Sequence, residues 1–134
     1  MMSLSSRSFT QAAIVLIAVV QIVLGVLFVI CPGTFAAALD LPPAPAWTDW
    51  IFAMFGARAL GFAYGMLVAR RDLEKNASWL TAMILVQTID WIATIFSLIA
   101  GKVTLIQVST ASFLPAVFIV ALGMELSRQR ARRI

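Results

Sequence analysis

The sequence contains no histidine and a single cysteine, Cys31, and these two shortages exclude most site chemistry. Haem and zinc sites draw their ligands mainly from histidine and cysteine, so neither is expected here. A Ser–His or Cys–His nucleophile is excluded for the same reason, and one cysteine cannot form an internal disulfide. No glycine-rich phosphate loop is present either. We therefore predict no catalytic residue, no metal and no resident cofactor.

Charge is also scarce. Only 12% of the 134 residues are charged and 62% are hydrophobic, whereas about 25% of an ordinary soluble domain is charged. The excess lies in four apolar runs near residues 9–30, 47–69, 77–100 and 103–126, each longer than the roughly 20 residues that cross a bilayer. The chain is predicted to be one four-span transmembrane domain, with no room for a soluble catalytic domain.

The few charges are unevenly placed. Apart from Arg58, eight basic residues flank the spans on one side, and only Lys102 lies on the other, beside Asp40 and Asp49. Because Lys and Arg accumulate on the cytoplasmic side, both termini and the middle loop are predicted to be cytoplasmic. The short basic tail 127–134 is expected to lie against anionic headgroups. It offers no aromatic platform, so nucleic acid is not an expected partner.

The apolar runs are continuous rather than alternating, which predicts helices and not a barrel. Short connections favour an antiparallel up-down four-helix bundle. After the first span, Cys-Pro-Gly at 31–33 ends the helix, and Thr34–Leu39 is long enough for a short interfacial half-helix. An ordered loop is the alternative. The prolines at 42, 43 and 45 prevent this segment from running into the second span.

Two charged residues, Arg58 and Asp90, fall near the centres of the second and third spans. A charge there costs roughly 2.5–3.5 kcal/mol on insertion scales, so it is expected to be paired or functional. Their depths match. One interpretation is a buried salt bridge that fixes helix register. The other is a binding site in which the two charges orient the polar end of a hydrophobic molecule.

Other polar residues fall at a similar depth in every span. In the third span Gln87, Asp90, Trp91 and Thr94 follow the spacing of one helix face. If the polar side chains converge, they form a small polar chamber. The candidate ligand-binding residues are Arg58, Asp90, Gln87, Gln21, Trp91, Thr94 and Ser112.

Small residues and one proline are predicted to shape the helix contacts. Ala57, Gly61 and Gly65 recur every four residues, a stripe that lets another helix approach closely. Pro115, inside the fourth span, removes a backbone donor and leaves the Ala111 carbonyl free as an acceptor within the bundle.

The segment 55–65, Phe-Gly-Ala-Arg-Ala-Leu-Gly-Phe-Ala-Tyr-Gly, follows a first span that ends at a proline and a short amphipathic segment. This combination resembles the DoxX-like family of small bacterial membrane proteins. Members carry an Arg–x–x–Gly signature in the second helix, here Arg58 and Gly61, and often an acidic residue in the third, here Asp90. The resemblance covers most of the chain and implies a four-span bacterial inner-membrane protein. Some relatives are subunits of quinone-linked oxidoreductases, but no cofactor-binding residue carries over.

Three functions are compatible with these features. The first is a non-enzymatic accessory subunit, or a binder of a quinone or other lipid around Arg58 and Asp90, with the bilayer and a larger membrane complex as partners. The second is a small transporter acting as a homodimer, with Asp90 as the coupling carboxylate and Gly61 and Gly65 at the dimer face. The third is a membrane-embedded enzyme with Asp90 as general acid and Arg58 stabilising negative charge.

Overall fold

The computed structural model describes residues 4–132, with side chains from residue 8 onward. Within this range the chain is helical between short connections and contains no strand. The helices are α1 (Leu4–Ile30), α2 (Pro32–Ala38), α3 (Thr48–Arg71), α4 (Ala77–Ile99) and α5 (Ser109–Arg132). All but α2 are long and apolar enough to cross a membrane. The predicted all-α four-helix bundle of a multi-pass membrane protein is confirmed.

The half-helix predicted after the first span is also present. Helix α2 begins at Pro32, where a fixed φ suits the first turn of a helix and the missing N–H is not needed. It ends at Ala38, and Asp40 then takes a left-handed conformation with φ 53°. None of its residues is buried. The helix thus starts two residues before the predicted Thr34 and lies on the outside of the bundle.

The last long helix differs from its predicted bounds. It was expected over 103–126 but runs from Ser109 to Arg132. Before it, Thr104 and Gln107 hydrogen-bond each other's backbone N–H groups through their side chains, a local alternative to helical bonding. At the other end residues 127–132 are helical, so the predicted basic tail is largely the last turns of α5. Arg133 and the side chain of Arg7 lie outside the described residues.

The bundle has two chemically distinct ends. The basic end carries Arg70, Arg71, Lys75 and Arg132, and the loop end carries α2 and the connections 40–47 and 100–108. The basic-end turn between α3 and α4 is tight: Asp72 accepts the Lys75 N–H through its carboxylate and the Asn76 side-chain amide through its carbonyl. At the loop end, the Gln107 amide donates to the Asp40 carbonyl at 3.1 Å and ties the two connections together.

The helices pack as two pairs. α1 packs most extensively on α3, and α4 on α5, while the contacts between the pairs are sparse. One apolar core joins the pairs, and its members from α3 and α4 all lie in the half of the helix nearer the basic end. The core residues are Ile14, Ile17, Ala18, Met66, Ala69, Leu80, Met83, Phe118 and Leu122. In α4 the last buried residue is Gln87. The core of α3 and α4 is therefore concentrated near the basic end, whereas at the loop end the Gln107–Asp40 bond joins the two pairs.

Close approach of α1 and α3 depends on two glycines outside the predicted stripe, Gly25 and Gly56. A Cβ on Gly56 would lie 2.7 Å from the Gly25 carbonyl oxygen, and a Cβ on Gly25 would lie 2.7 Å from the Leu60 side chain. Helices in lipid associate through such backbone-to-backbone packing, because the tails supply no hydrophobic drive. The aromatic cluster of Phe28 with Phe35 and Phe52 extends the contact to α2.

We expect Gly56→Ala to lower the free energy of unfolding by about 1–3 kcal/mol, because the new methyl group meets backbone that cannot rotate away. The matched control is Gly61→Ala in the same helix, where a Cβ meets nothing within 4 Å. The control should leave stability unchanged, or raise it by up to about 1 kcal/mol through helix propensity. Unfolding in mild detergent, followed by circular dichroism, measures both. Equal effects of the two substitutions would contradict this packing.

Candidate functional site

Arg58 lies on the face of α3 that looks toward α4. It shares that face with Phe62 and Gly65, four and seven residues further along. Gly65 is covered by the indole of Trp79 in α4, and the Phe62 and Trp79 rings meet edge to face at 6.5 Å. Arg58 itself is exposed, with its guanidinium carbon 5.9 Å from the centre of the Phe55 ring, within the range of a cation–π contact.

Asp90 lies on the matching face of α4. It follows Trp79 by eleven residues, about three turns, so both project from the same side of the helix. Trp79 contacts α3, whereas Asp90 is exposed. Each charge stands thirteen residues from the basic-end terminus of its helix, Arg71 or Ala77. The two charges therefore lie at the same distance along their helices, about 20 Å from those helix ends, each on the side of its helix that carries the Gly65–Trp79 contact.

The structure does not join them. No hydrogen bond or ion pair links Arg58 to Asp90 among the described residues, whose salt bridges are Arg128–Glu125 and Arg132–Glu74. The salt-bridge interpretation is therefore not realised in this fold. The reason is the packing: the Trp79 ring lies against Gly65 between α3 and α4 near the basic end, and the core residues of these two helices all lie in that half. Arg58 and Asp90 lie beyond Trp79, toward the loop end, and are exposed; we call the sides of α3 and α4 that carry these two residues the α3–α4 groove.

The remaining candidates are only partly brought together. The Trp91 indole N–H donates to the Ser112 carbonyl at 2.7 Å and links α4 to α5. The hydroxyls of Thr94 and Ser112 each donate to the carbonyl four residues earlier, that of Asp90 in α4 and that of Val108 just before α5. These contacts satisfy the polar atoms locally. The predicted chamber is thus not an enclosed cavity.

Two glutamine side chains stay inside the bundle. Gln87 is buried, and its amide donates only to the Met83 sulfur at 3.5 Å, a weak acceptor. Gln21 is 9% exposed and forms no hydrogen bond with any residue that the structure describes. It lies on the same face of α1 as the core residues Ile14 and Ile17. A buried amide without partners is unusual, because the desolvation of its polar atoms is not repaid.

Only some of the predicted packing residues lie in contacts between helices. Pro115 is buried inside α5, and the Ser112 carbonyl, one residue after the predicted Ala111, accepts the Trp91 bond. Gly65 is in tight contact with Trp79, whereas Ala57 and Gly61 are exposed on α3. The close α1–α3 approach through Gly25 and Gly56 was not predicted, because small residues were recognised only as a repeat within one helix. A pairing of single glycines across two helices leaves no such repeat.

A further polar site, which was not predicted from the sequence, lies at the basic end. Glu125 and Gln129 of α5 are 5% and 4% exposed, and Glu125 borders a cavity of about 250 Å³. A second cavity, of about 430 Å³, lies at the loop end between α2 and the start of α3 and is mostly apolar. The sequence feature that could have indicated this site is the position of a carboxylate, Glu125, in the last apolar turns of the fourth span. Among the described residues, no cluster of His, Cys, Asp and Glu could hold a metal.

Because the two charges are not paired, we expect the effects of Arg58→Leu and Asp90→Leu on stability to add. Unfolding in ligand-free detergent should show coupling below about 0.5 kcal/mol. Neither single substitution should lose the 3–5 kcal/mol of a broken buried pair. Damaged single variants and a double variant that recovers wild-type stability would show that the charges do touch.

Comparison with protein-family models, with curated proteins and with solved structures finds no match to this chain. The groove geometry of the chain's own residues therefore carries the functional proposal. The relevant features are two exposed, unpaired charges at one level of a membrane bundle and a buried amide, that of Gln21, without a hydrogen-bond partner among the described residues.

Proposed function

We propose that this protein is a non-enzymatic membrane bundle that binds an amphipathic molecule, a quinone or another lipid, in the α3–α4 groove. The observation that carries the proposal is the unpaired, opposed placement of Arg58 and Asp90 at mid-depth. A guanidinium donates hydrogen bonds to carbonyl or phosphate oxygens, and a carboxylate accepts them from hydroxyl groups. A molecule with such a polar end would bind the two charges, and its apolar body would lie against the apolar surfaces of α3 and α4.

A bound polar group would also lower the free-energy cost of placing Arg58 and Asp90 in the bilayer. An unpartnered charge in the middle of the hydrocarbon costs several kcal/mol, and this chain carries two of them. A bound polar group between the two would relieve both costs at once. The buried amide of Gln21, thirteen residues into the span that starts at Ser8, stands at the same depth and adds an unused donor and acceptor. Three helices thus contribute unsatisfied polar groups to one level of the bundle.

The resemblance to DoxX-like proteins supports the same proposal from another direction. It implies a bacterial inner-membrane protein, and it makes a quinone a reasonable occupant because some relatives belong to quinone-linked oxidoreductases. The excess of basic residues at one end favours an orientation with both termini in the cytoplasm. In this proposal the protein serves a larger membrane complex as an accessory subunit, holding or delivering its hydrophobic ligand.

A small dimeric transporter is the second candidate, and a specific observation favours it. An arginine partner would hold Asp90 ionised and oppose proton exchange, but no ion pair joins the two residues. Asp90 is thus available as a coupling carboxylate. The exposed small residues Ala57 and Gly61 leave space for a second copy to approach α3.

The binding proposal predicts a ligand that co-purifies with the protein. Extraction in a mild detergent or a membrane-solubilising polymer, followed by mass spectrometry of the organic extract, should recover one amphipathic species near equimolar amount. Arg58→Leu and Asp90→Leu should each reduce its occupancy about tenfold or more, as expected for the loss of a charge-assisted hydrogen bond.

The matched control is Lys102→Gln, which removes a charge from the loop end outside the groove. It should retain the ligand. If wild-type protein from several mild extractions contains no enriched species, or if Lys102→Gln loses the ligand as completely as Asp90→Leu, the binding proposal fails.

The transporter candidate is tested in proteoliposomes. Under an imposed proton gradient the wild type should move protons or a substrate, and Asp90→Asn should abolish the movement because the amide carries no proton. Asp90→Glu is the control, since it keeps a titratable carboxyl and should retain part of the rate. A wild-type protein that moves nothing across a panel of gradients would remove this candidate.

A further inference from the structure

The cavity at the basic end is a polar site distinct from the α3–α4 groove. Its volume is about 250 Å³, and its walls come from α1, α3, the α3–α4 turn and α5. Three arginines and three carboxylates line it in equal number: Arg70, Arg71, Arg132, Asp72, Glu74 and Glu125. A site for a simple anion would carry an excess of positive charge. This balance suits a ligand that itself carries both signs.

Glu125 is the negative centre of this cavity. Its side chain is 7% exposed. The Gln129 amide donates to one carboxylate oxygen at 3.2 Å, and the Arg128 guanidinium is 3.9 Å from the other, beyond ordinary hydrogen-bond distance. A buried carboxylate requires strong donors to offset its desolvation, and one neutral amide with one long ion pair to Arg128 meets that requirement only in part. The second oxygen can therefore accept from a cationic N–H donor in the cavity.

The positive side of the cavity is provided by Arg71. Arg132 is held at 3.1 Å by Glu74, which joins α5 to the α3–α4 turn, and Arg70 is hydrogen-bonded to Gln11 at 3.2 Å. Arg71 forms no hydrogen bond or ion pair with the part of the chain that the structure describes. Its guanidinium offers planar paired donors that match phosphate oxygens.

We propose that this cavity binds an ammonium–phosphate group, the headgroup chemistry of phosphatidylethanolamine, with the ammonium on Glu125 and the phosphate on Arg71. The position in the bundle fits a lipid. Leu126, beside Glu125, is the last apolar residue of the fourth run, and Arg128 and Arg130 follow, so the cavity lies where hydrocarbon gives way to headgroups. None of the groove residues lines this cavity, so a negative test of the proposed function leaves this proposal unaffected.

The test measures lipid binding to delipidated protein in detergent by native mass spectrometry. The probes are phosphatidylethanolamine, phosphatidylcholine and phosphatidylglycerol with identical acyl chains. Phosphatidylcholine keeps the positive charge but has no N–H donor, and phosphatidylglycerol has no ammonium. We expect wild type to bind phosphatidylethanolamine about tenfold more tightly than either, the ratio of one charge-assisted hydrogen bond.

Variants test which residue binds the ammonium and which binds the phosphate. Glu125→Gln should erase the preference for phosphatidylethanolamine over phosphatidylcholine, while Asp49→Asn at the loop end should keep it. Arg71→Gln should weaken all three lipids, whereas Arg130→Gln, an exposed position of α5 outside the cavity lining, should not. Circular dichroism and gel filtration check that each variant folds. The comparison of the three lipids on wild-type protein tests the proposal even if a variant does not fold.

Soluble phosphoethanolamine distinguishes the source of the ligand. If it displaces bound phosphatidylethanolamine at similar concentration, the site takes a free headgroup-like metabolite. If it does not, the lipid is the ligand, because the acyl chains contribute. Equal binding of all three lipids by wild type, or an undiminished phosphatidylethanolamine preference in Glu125→Gln, would overturn the proposal.

Discussion

Lipid offers the backbone no hydrogen bonds, and every other feature of this protein depends on that constraint. Four long helices satisfy their own N–H and C=O groups internally, but lipid then gives them no hydrophobic reason to associate. Association has to come from close packing. The chain achieves it where Gly25 and Gly56 bring the backbones of α1 and α3 together, and where a core near the basic end locks the two helix pairs.

The position of that core decides what the rest of the bundle can do. The core residues of α3 and α4 lie near the basic end, where Trp79 packs on Gly65. Further along the same two helices, Arg58 and Asp90 are exposed and unpaired. A bundle locked along its whole length would have buried the two charges against each other, as a structural pair. The same packing that stabilises the fold therefore leaves two costly groups available for a ligand.

Sequence reasoning was most successful where the bilayer leaves few alternatives. The class, the number of long helices and the helical turns after Pro32 follow from apolar run lengths and proline chemistry. The fourth helix was misplaced by several residues because hydropathy does not register local competition. Thr104 and Gln107 bond to each other's backbone, and the basic residues after Leu126 continue the helix as readily as apolar ones do.

For the candidate site, the sequence by itself determined which residues are candidates and at what level of each span they fall. Mid-span charges and amides are costly wherever they point, so Arg58, Asp90 and Gln21 could be identified without a structure. Only the tertiary structure decided which of them touch. Contact depends on how far apart two helices lie at a given level, and that spacing is set by distant packing at Gly65 and Trp79. Burial of Glu125 at the basic end has the same origin, since it requires several helices to meet around one side chain.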